Sequence, residues 1–251
     1  MKLDNKKKLV LVSGGSNGIG RDIINKFLEK GFMVINASRR LNKKKNKNEI
    51  QFLCDFSKKN QINKLISSLK KKKLFPDIIV NNVGSNLNFQ NPLGKIEEWE
   101  QVFQLNLNSG IMLNQAFIEN MKKKKWGRIC HISSISALEN QGSPHYCASK
   151  AAVNSYVRSV GRYVSKFGII MTAVMPGPIY FKNGYWSKKE KKEPKIVKKW
   201  LSERVAINRF GSSEEISNFV LFLCSEKSSF AVGSCFLVDG GQGRSFYPNI
   251  D

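Results

Sequence analysis

Tyr146 and Lys150 stand four residues apart where a helical pattern begins, so they share one helix face. A free phenol has a pKa of about 10, and an ammonium beside it favours the phenolate. Such a pair suits proton transfer near neutral pH. Spacing alone is not selective, because Tyr185 and Lys189 repeat it. Tyr146 differs in its company. Ser133 and Ser134 close an apolar run just upstream, where hydroxyls can hold a substrate oxygen or a developing oxyanion.

A second constellation fits a nucleotide. Ser13-Gly14-Gly15-Ser16-Asn17-Gly18-Ile19-Gly20 follows the first β-rich run and opens an amphipathic stretch. Glycines permit a tight turn and let a pyrophosphate approach the backbone, and the helix amino terminus supplies free N–H groups and a favourable dipole. The second run ends in Ala37-Ser38-Arg39-Arg40, with no acid to hold a ribose 2′-hydroxyl. Arg39 offers a planar, permanently charged fork suited to a 2′-phosphate. NADP(H) is therefore favoured over NAD(H).

A metal site is not expected. His131 and His145 are isolated, and the five cysteines have no Cys-x2-Cys spacing. His131, inside a strand-like run, reads as structural. His145 precedes Tyr146 and is a candidate for lining a substrate cleft. Most of the cysteines lie in apolar runs and read as small buried hydrophobes, which fits a reducing compartment.

The elements that position these groups follow from periodicity. Strand-like runs are Leu9–Val12, Phe32–Ala37, Ile50–Cys54, Ile78–Asn81, Arg128–Ile132, Ile169–Met175 and Cys235–Val238. Amphipathic stretches alternate with them. One carries Ile23, Ile24, Phe27 and Leu28; another Ile62, Leu65, Ile66 and Leu69; a third Val153, Tyr156, Val157, Val160 and Val164. This alternation predicts an α/β fold, a single doubly wound Rossmann-type domain over residues 1–251. Its parallel sheet has about seven strands, with helices on both faces. The least regular segment, about 179–208, reads as a substrate lid.

The composition excludes other classes. No run is apolar and long enough to span a bilayer, and Leu9–Val12 is too short for a signal-peptide core. A cytoplasmic protein without a membrane partner is expected. Lys and Arg total 42 against 19 Asp and Glu, a net charge of +23. The lysines are dispersed. Lys70–Lys73 and Lys122–Lys125 each close an apparent helix, where cations complement the helix dipole. Lys43–Lys45 and Lys188–Lys192 lie in polar connections. Solvated charge is favoured over a nucleic-acid surface, so no nucleic-acid partner is expected.

With these motifs in order, the chain resembles the short-chain dehydrogenase/reductase family over essentially its whole length. The resemblance rests on Ser13–Gly20, Asp55, Asn81-Asn82-Val83-Gly84, Asn106, the serine pair, Tyr146-x3-Lys150, Pro176-Gly177 and Asp239-Gly240-Gly241. It implies an NAD(P)-dependent oxidoreductase that interconverts a ketone or aldehyde and an alcohol. Tyr146 is then the general acid or base, and Lys150 lowers its pKa and holds the nicotinamide ribose. Ser134 binds the carbonyl oxygen, with Ser133 as the alternative. Asn106 holds a water that links Lys150 to solvent. Asp55 meets the adenine and Asn82 lies near the adenosine ribose. Gly14, Ser16, Asn17, Gly18, Ile19, Gly20, Arg39, Gly84, Pro176, Gly177 and Ile179 complete the cofactor site. Phe181 stands where the family often has a carboxamide-binding threonine. The implied partner is a small carbonyl or alcohol. The alternatives are a carrier-linked 3-oxoacyl substrate, a sugar derivative, or an idle binding relative. A homo-oligomer, tetramer or dimer, is also implied.

Overall fold

The apolar runs form one parallel sheet, in a computed structural model that describes residues 8–42 and 46–244. The polar residues 1–7 and the lysines at 43–45 lie outside the described residues. In chain order the elements are β1 (Leu9–Ser13), α1 (Gly18–Glu29), β2 (Met33–Ser38), β3 (Glu49–Leu53), α2 (Lys59–Lys71), β4 (Ile78–Asn81), α3 (Ile96–Phe103) and α4 (Ser109–Lys124). Then come β5 (Gly127–Ile132), α5 (Pro144–Ser165), β6 (Ile169–Pro176), β7 (Ile179–Tyr180), α6 (Tyr185–Lys192) and α7 (Pro194–Arg204). The chain continues with β8 (Gly211–Ser212), α8 (Ser213–Leu223) and β9 (Cys235–Val238).

The sheet order is β3-β2-β1-β4-β5-β6-β9, all parallel, so the expected seven strands are all present. Strand order reverses between β1 and β4, the switch point where a doubly wound sheet opens a crevice at its carboxyl edge. The period-2 alternation of side chains divides the core. Leu11 packs toward α2, α4 and α5 with Leu65, Phe117 and Val157. Val10 and Val12 face α1 and α8 with Ile24, Phe27 and Val220. Each apolar stripe read from the sequence faces one of these two cores.

Two of the lysine runs sit where the sequence placed them, whereas Lys188–Lys192, read as a polar connection, belongs to helix α6. Lys70 and Lys71 close α2, and Lys122, Lys123 and Lys124 close α4. Lys124 Nζ also lies 2.5 Å from the buried Asp77 carboxylate. Segment 179–208 is more regular than its sequence suggested: β7 pairs with β8, and α6 and α7 follow. These helices carry no broad apolar stripe; Ser187 and Val197 are their buried residues. Aromatic contacts hold them instead, with Trp186 4.3 Å from Trp200 and 5.1 Å from Phe210 between ring centroids. No helix of the described residues is long and apolar enough to cross a membrane.

Candidate active site

β1 delivers the glycine loop to the switch point. Gly14 (φ 76°) and Gly18 (φ 55°) adopt left-handed backbone that glycine accommodates without strain. A Cβ on Gly14 would come within 2.9 Å of Val83 Cγ2, and one on Gly20 would collide with the Gly14 carbonyl. Asn82 Nδ2 ties the loop to the end of β4, donating to the carbonyls of Ser13 at 3.0 Å and Gly14 at 3.2 Å. Ser13 Oγ accepts from the N–H groups of Asn82 and Val83. α1 opens with no side-chain cap and no acid in its first turn, which leaves its N–H groups and dipole to an anion. The loop therefore fits a pyrophosphate.

A cavity of about 580 Å³ lies along this edge. It is lined by every residue singled out for the cofactor except Gly18, which instead lies beneath the Phe181 ring. Arg40 joins Arg39 in the wall. Burial would raise the Asp55 carboxyl, but bonds from Ser57 N–H (3.1 Å) and Oγ (2.8 Å), with the nearby Arg39 charge, hold it below its ordinary value. Phe181 offers an apolar ring where a carboxamide partner was in question.

Tyr146 and Lys150 rise from the first turns of α5, which Pro144 opens at a position with no helical N–H to lose. Lys150 is 2% exposed, and its Nζ donates to the Ile132 carbonyl at 2.7 Å. Burial pushes its ammonium down to about 8. Burial pushes the Tyr146 phenol above its ordinary value, while a hydrogen bond with the Ser134 hydroxyl draws it back. Lys150 Nζ lies 5.5 Å from the Tyr146 ring centroid. Its hydrogen bond goes to Ile132, so in this arrangement the phenol stays protonated.

The serine pair divides its work. Ser133 Oγ turns back to the Lys150 carbonyl at 3.3 Å, tying β5 to α5. Ser134 Oγ faces Tyr146 and is held by the N–H of Ser136 at 3.1 Å. Asn106 sits in a π-helical turn, Gln104–Asn108, between α3 and α4, a distortion often found at functional sites. Its Oδ1 accepts from Ser85 N–H at 2.8 Å, and its Nδ2 donates to Ser85 O (3.1 Å) and Ser149 Oγ (2.8 Å). Both Nδ2 hydrogens are thus committed, and the side chain acts as a clamp. Gly84 packs over it and Lys150; a Cβ there would meet Lys150 Nζ at 2.8 Å.

A second cavity of about 670 Å³ opens beyond Tyr146. The two cavities share Ser85, Ser134, Tyr146, Gly177, Tyr185 and Trp186. Ser85, Ser149, Ser143 and Gln242 were not singled out in the sequence. Ser149 had a visible signal, since it lies inside the Tyr-Lys spacing; the others are brought in from distant segments.

Two candidates fall away. His145 does not line the cleft: it is fully buried, with its ring 4.5 Å from Trp99 and 6.2 Å from Phe89. One helical position from Tyr146 turns a side chain by about 100°, into the core. The Tyr185–Lys189 pair lacks burial, since Tyr185 is 67% exposed. His131 is structural as read, buried against Asn81 and Asn114, and burial drives it down to about 3. Among the described residues no His/Cys/Asp/Glu group could hold a metal.

Lys150 predicts a pH-dependent stability. Its folded pKa lies near 8 against an ordinary 10.5, so between those values the unfolded chain binds the extra proton. Wild-type stability should therefore rise relative to Lys150→Met as pH climbs through that window, by up to about 3 kcal/mol. Urea unfolding of both proteins at pH 7 and pH 10 checks this; a constant difference contradicts it.

Known proteins resemble this chain over nearly its whole length. The family described as enoyl-(acyl carrier protein) reductase matches residues 14–242. A 3-oxoacyl-acyl-carrier-protein reductase of Buchnera aphidicola is 34% identical over 96% of this chain and 98% of its own. The structure resembles L-sorbose reductase of Gluconobacter frateurii, complexed with NADPH and L-sorbose (TM-score 0.85, 26% identity, 96% and 98% coverage). It also resembles aldohexose dehydrogenase of Thermoplasma acidophilum (TM-score 0.85, 26% identity, 99% and 98% coverage).

Proposed function

Since the chain belongs to the short-chain dehydrogenase/reductase family and is an NAD(P)-dependent oxidoreductase of carbonyl and alcohol groups, we propose that it reduces a ketone or aldehyde with NADPH. The observation that carries the reading is the meeting of two cavities at Ser134 and Tyr146. The first would hold the dinucleotide: the glycine loop takes its pyrophosphate, Asp55 its adenine, and Arg39 with Arg40 its 2′-phosphate. A nicotinamide held there would supply the hydride that the carbonyl carbon takes. Ser134 holds the carbonyl oxygen, and Tyr146 passes its proton to that oxygen. The raised phenol pKa keeps Tyr146 protonated at neutral pH, the form that donates in reduction. Lys150 supplies positive potential beside the phenol and holds the nicotinamide ribose. Asn106 positions Ser85 and Ser149 through its side chain, and would hold a water that links Lys150 to solvent. Residues 179–208 act as the lid of a single cytoplasmic domain, in a homotetramer or homodimer.

A carrier-linked 3-oxoacyl substrate is the second reading, supported by the name of the Buchnera relative and by a basic surface suited to an acidic carrier. The two structural neighbours that act on sugars support a hydroxylated substrate instead. A carbonyl panel followed at the NADPH and NADH absorbance band tests the reading, with oxidation expected for NADPH first. Removing one oxyanion donor typically costs about a hundredfold or more in turnover. Ser134→Ala should lose that much, and Ser133→Ala no more than about threefold. The reverse ranking would move the role to Ser133.

A further inference from the structure

Among the described residues, two that line the second cavity carry buried polar atoms with nothing to bond. Ser143 is 4% exposed and stands at the amino-terminal cap of α5, yet its hydroxyl makes no capping bond and has no other partner. Gln242 is 5% exposed; its Nε2 donates to Gln141 Oε1, while its own Oε1 is unpaired. Both residues line the cleft beyond Tyr146. An unpaired buried acceptor is costly, and a donor brought in from the cleft would satisfy it. An amide oxygen accepts and never donates, so the group it awaits carries a hydrogen.

Charge adds a second constraint. Lys189 and Arg204 line the same cleft, and no Asp or Glu does. Among the described residues neither cation is paired with a carboxylate. Trp186 and Trp200, with ring centroids 4.3 Å apart, add flat apolar surface to the same cleft. Such a wall suits the C–H face of a short polyhydroxy chain or ring. A plain acyl chain would leave Ser143 and Gln242 unpaired.

Building on the reductase reading above, we propose that the substrate is a small hydroxylated carbonyl compound bearing a carboxylate or phosphate. Gln242 and Ser143 select a hydroxyl near the reacting carbonyl, and Arg204 with Lys189 selects the anionic end. The reaction balances as one hydride from NADPH to carbon and one proton through Tyr146 to oxygen.

The test is NADPH-dependent reduction of five probes: butane-2,3-dione, the neutral ketose erythrulose, erythrulose 4-phosphate, a hydroxylated keto acid of similar length, and an acetoacetyl thioester. The expected kcat/KM is about tenfold higher for erythrulose than for the dione, and about tenfold higher again for one of the anionic probes. The phosphate and carboxylate arms identify which anion is taken. Gln242→Leu should collapse the hydroxyl preference, and Arg204→Gln the anion preference, with dione reduction within about threefold of wild type in both. Equal reduction of dione and ketose, a thioester preferred over both anions, or variants that slow every probe equally would each overturn the assignment. Unchanged melting and NADPH binding in the variants exclude misfolding as the cause of a loss. Failure to reduce any probe removes the reductase reading itself, whereas reduction without preference removes this assignment alone.

Discussion

Replacing Tyr146 with phenylalanine lowers turnover roughly a thousandfold, while NADPH binds within a factor of about two of wild type. The substitution removes one oxygen atom and keeps the ring, so packing beside Lys150 survives and only the proton is lost. General acid catalysis contributes about 10² to 10⁴ in rate, and this phenol is well placed to make the upper part of that range. It is half-buried, hydrogen-bonded to Ser134, and biased by desolvation toward the protonated form. Stopped absorbance at saturating substrate gives turnover, and fluorescence titration gives NADPH affinity. A variant with turnover within tenfold of wild type would remove Tyr146 from the chemistry. Tyr185→Phe, which alters the exposed look-alike, should leave turnover within about threefold, because Tyr185 has no buried ammonium or serine beside it.

Arg39→Asp is expected to weaken NADPH binding by about ten- to a hundredfold and to change NADH binding by no more than about threefold. The loss comes from a charge-assisted contact to the 2′-phosphate and from the like charge put in its place. Arg39 lines the cavity beyond the end of β2, where no acid stands to take a ribose hydroxyl. Its field already reaches Asp55 across the cavity mouth. Titration of both nucleotides against both proteins measures the effect. Equal weakening of NADPH and NADH would make Arg39 a solvated charge with no part in selection, and would leave Arg40 to be tried.

Much of the fold was legible because burial leaves a simple trace in a parallel sheet. Strands covered on both faces read as short apolar runs, and the seven runs match the seven strands to within about one residue at each end. The Tyr146–Lys150 pair was legible because helical spacing converts directly into a shared face. The lid was not. Its two helices are lysine-rich and are held by ring contacts between Trp186, Trp200 and Phe210, which no periodicity announces. His145 was misplaced because adjacency in sequence is not adjacency in space on a helix. Ser143 and Gln242 were invisible for another reason. Nothing local marks them, and they meet only because the chain after β9 returns to the start of α5. The π-helical turn around Asn106 was equally silent, since its sequence is an ordinary amphipathic one.

The contact between Phe181 and Gly18 has a consequence in time. The Phe181 ring rests on the first residue of α1, and a few residues later the same segment hangs Trp186 over the second cavity. One stretch of chain thus borders both chambers. Whatever settles in the glycine loop must first contend with that ring, and a shift of the ring is carried within five residues to the indole beyond. Two ligands on such a strap do not arrive independently.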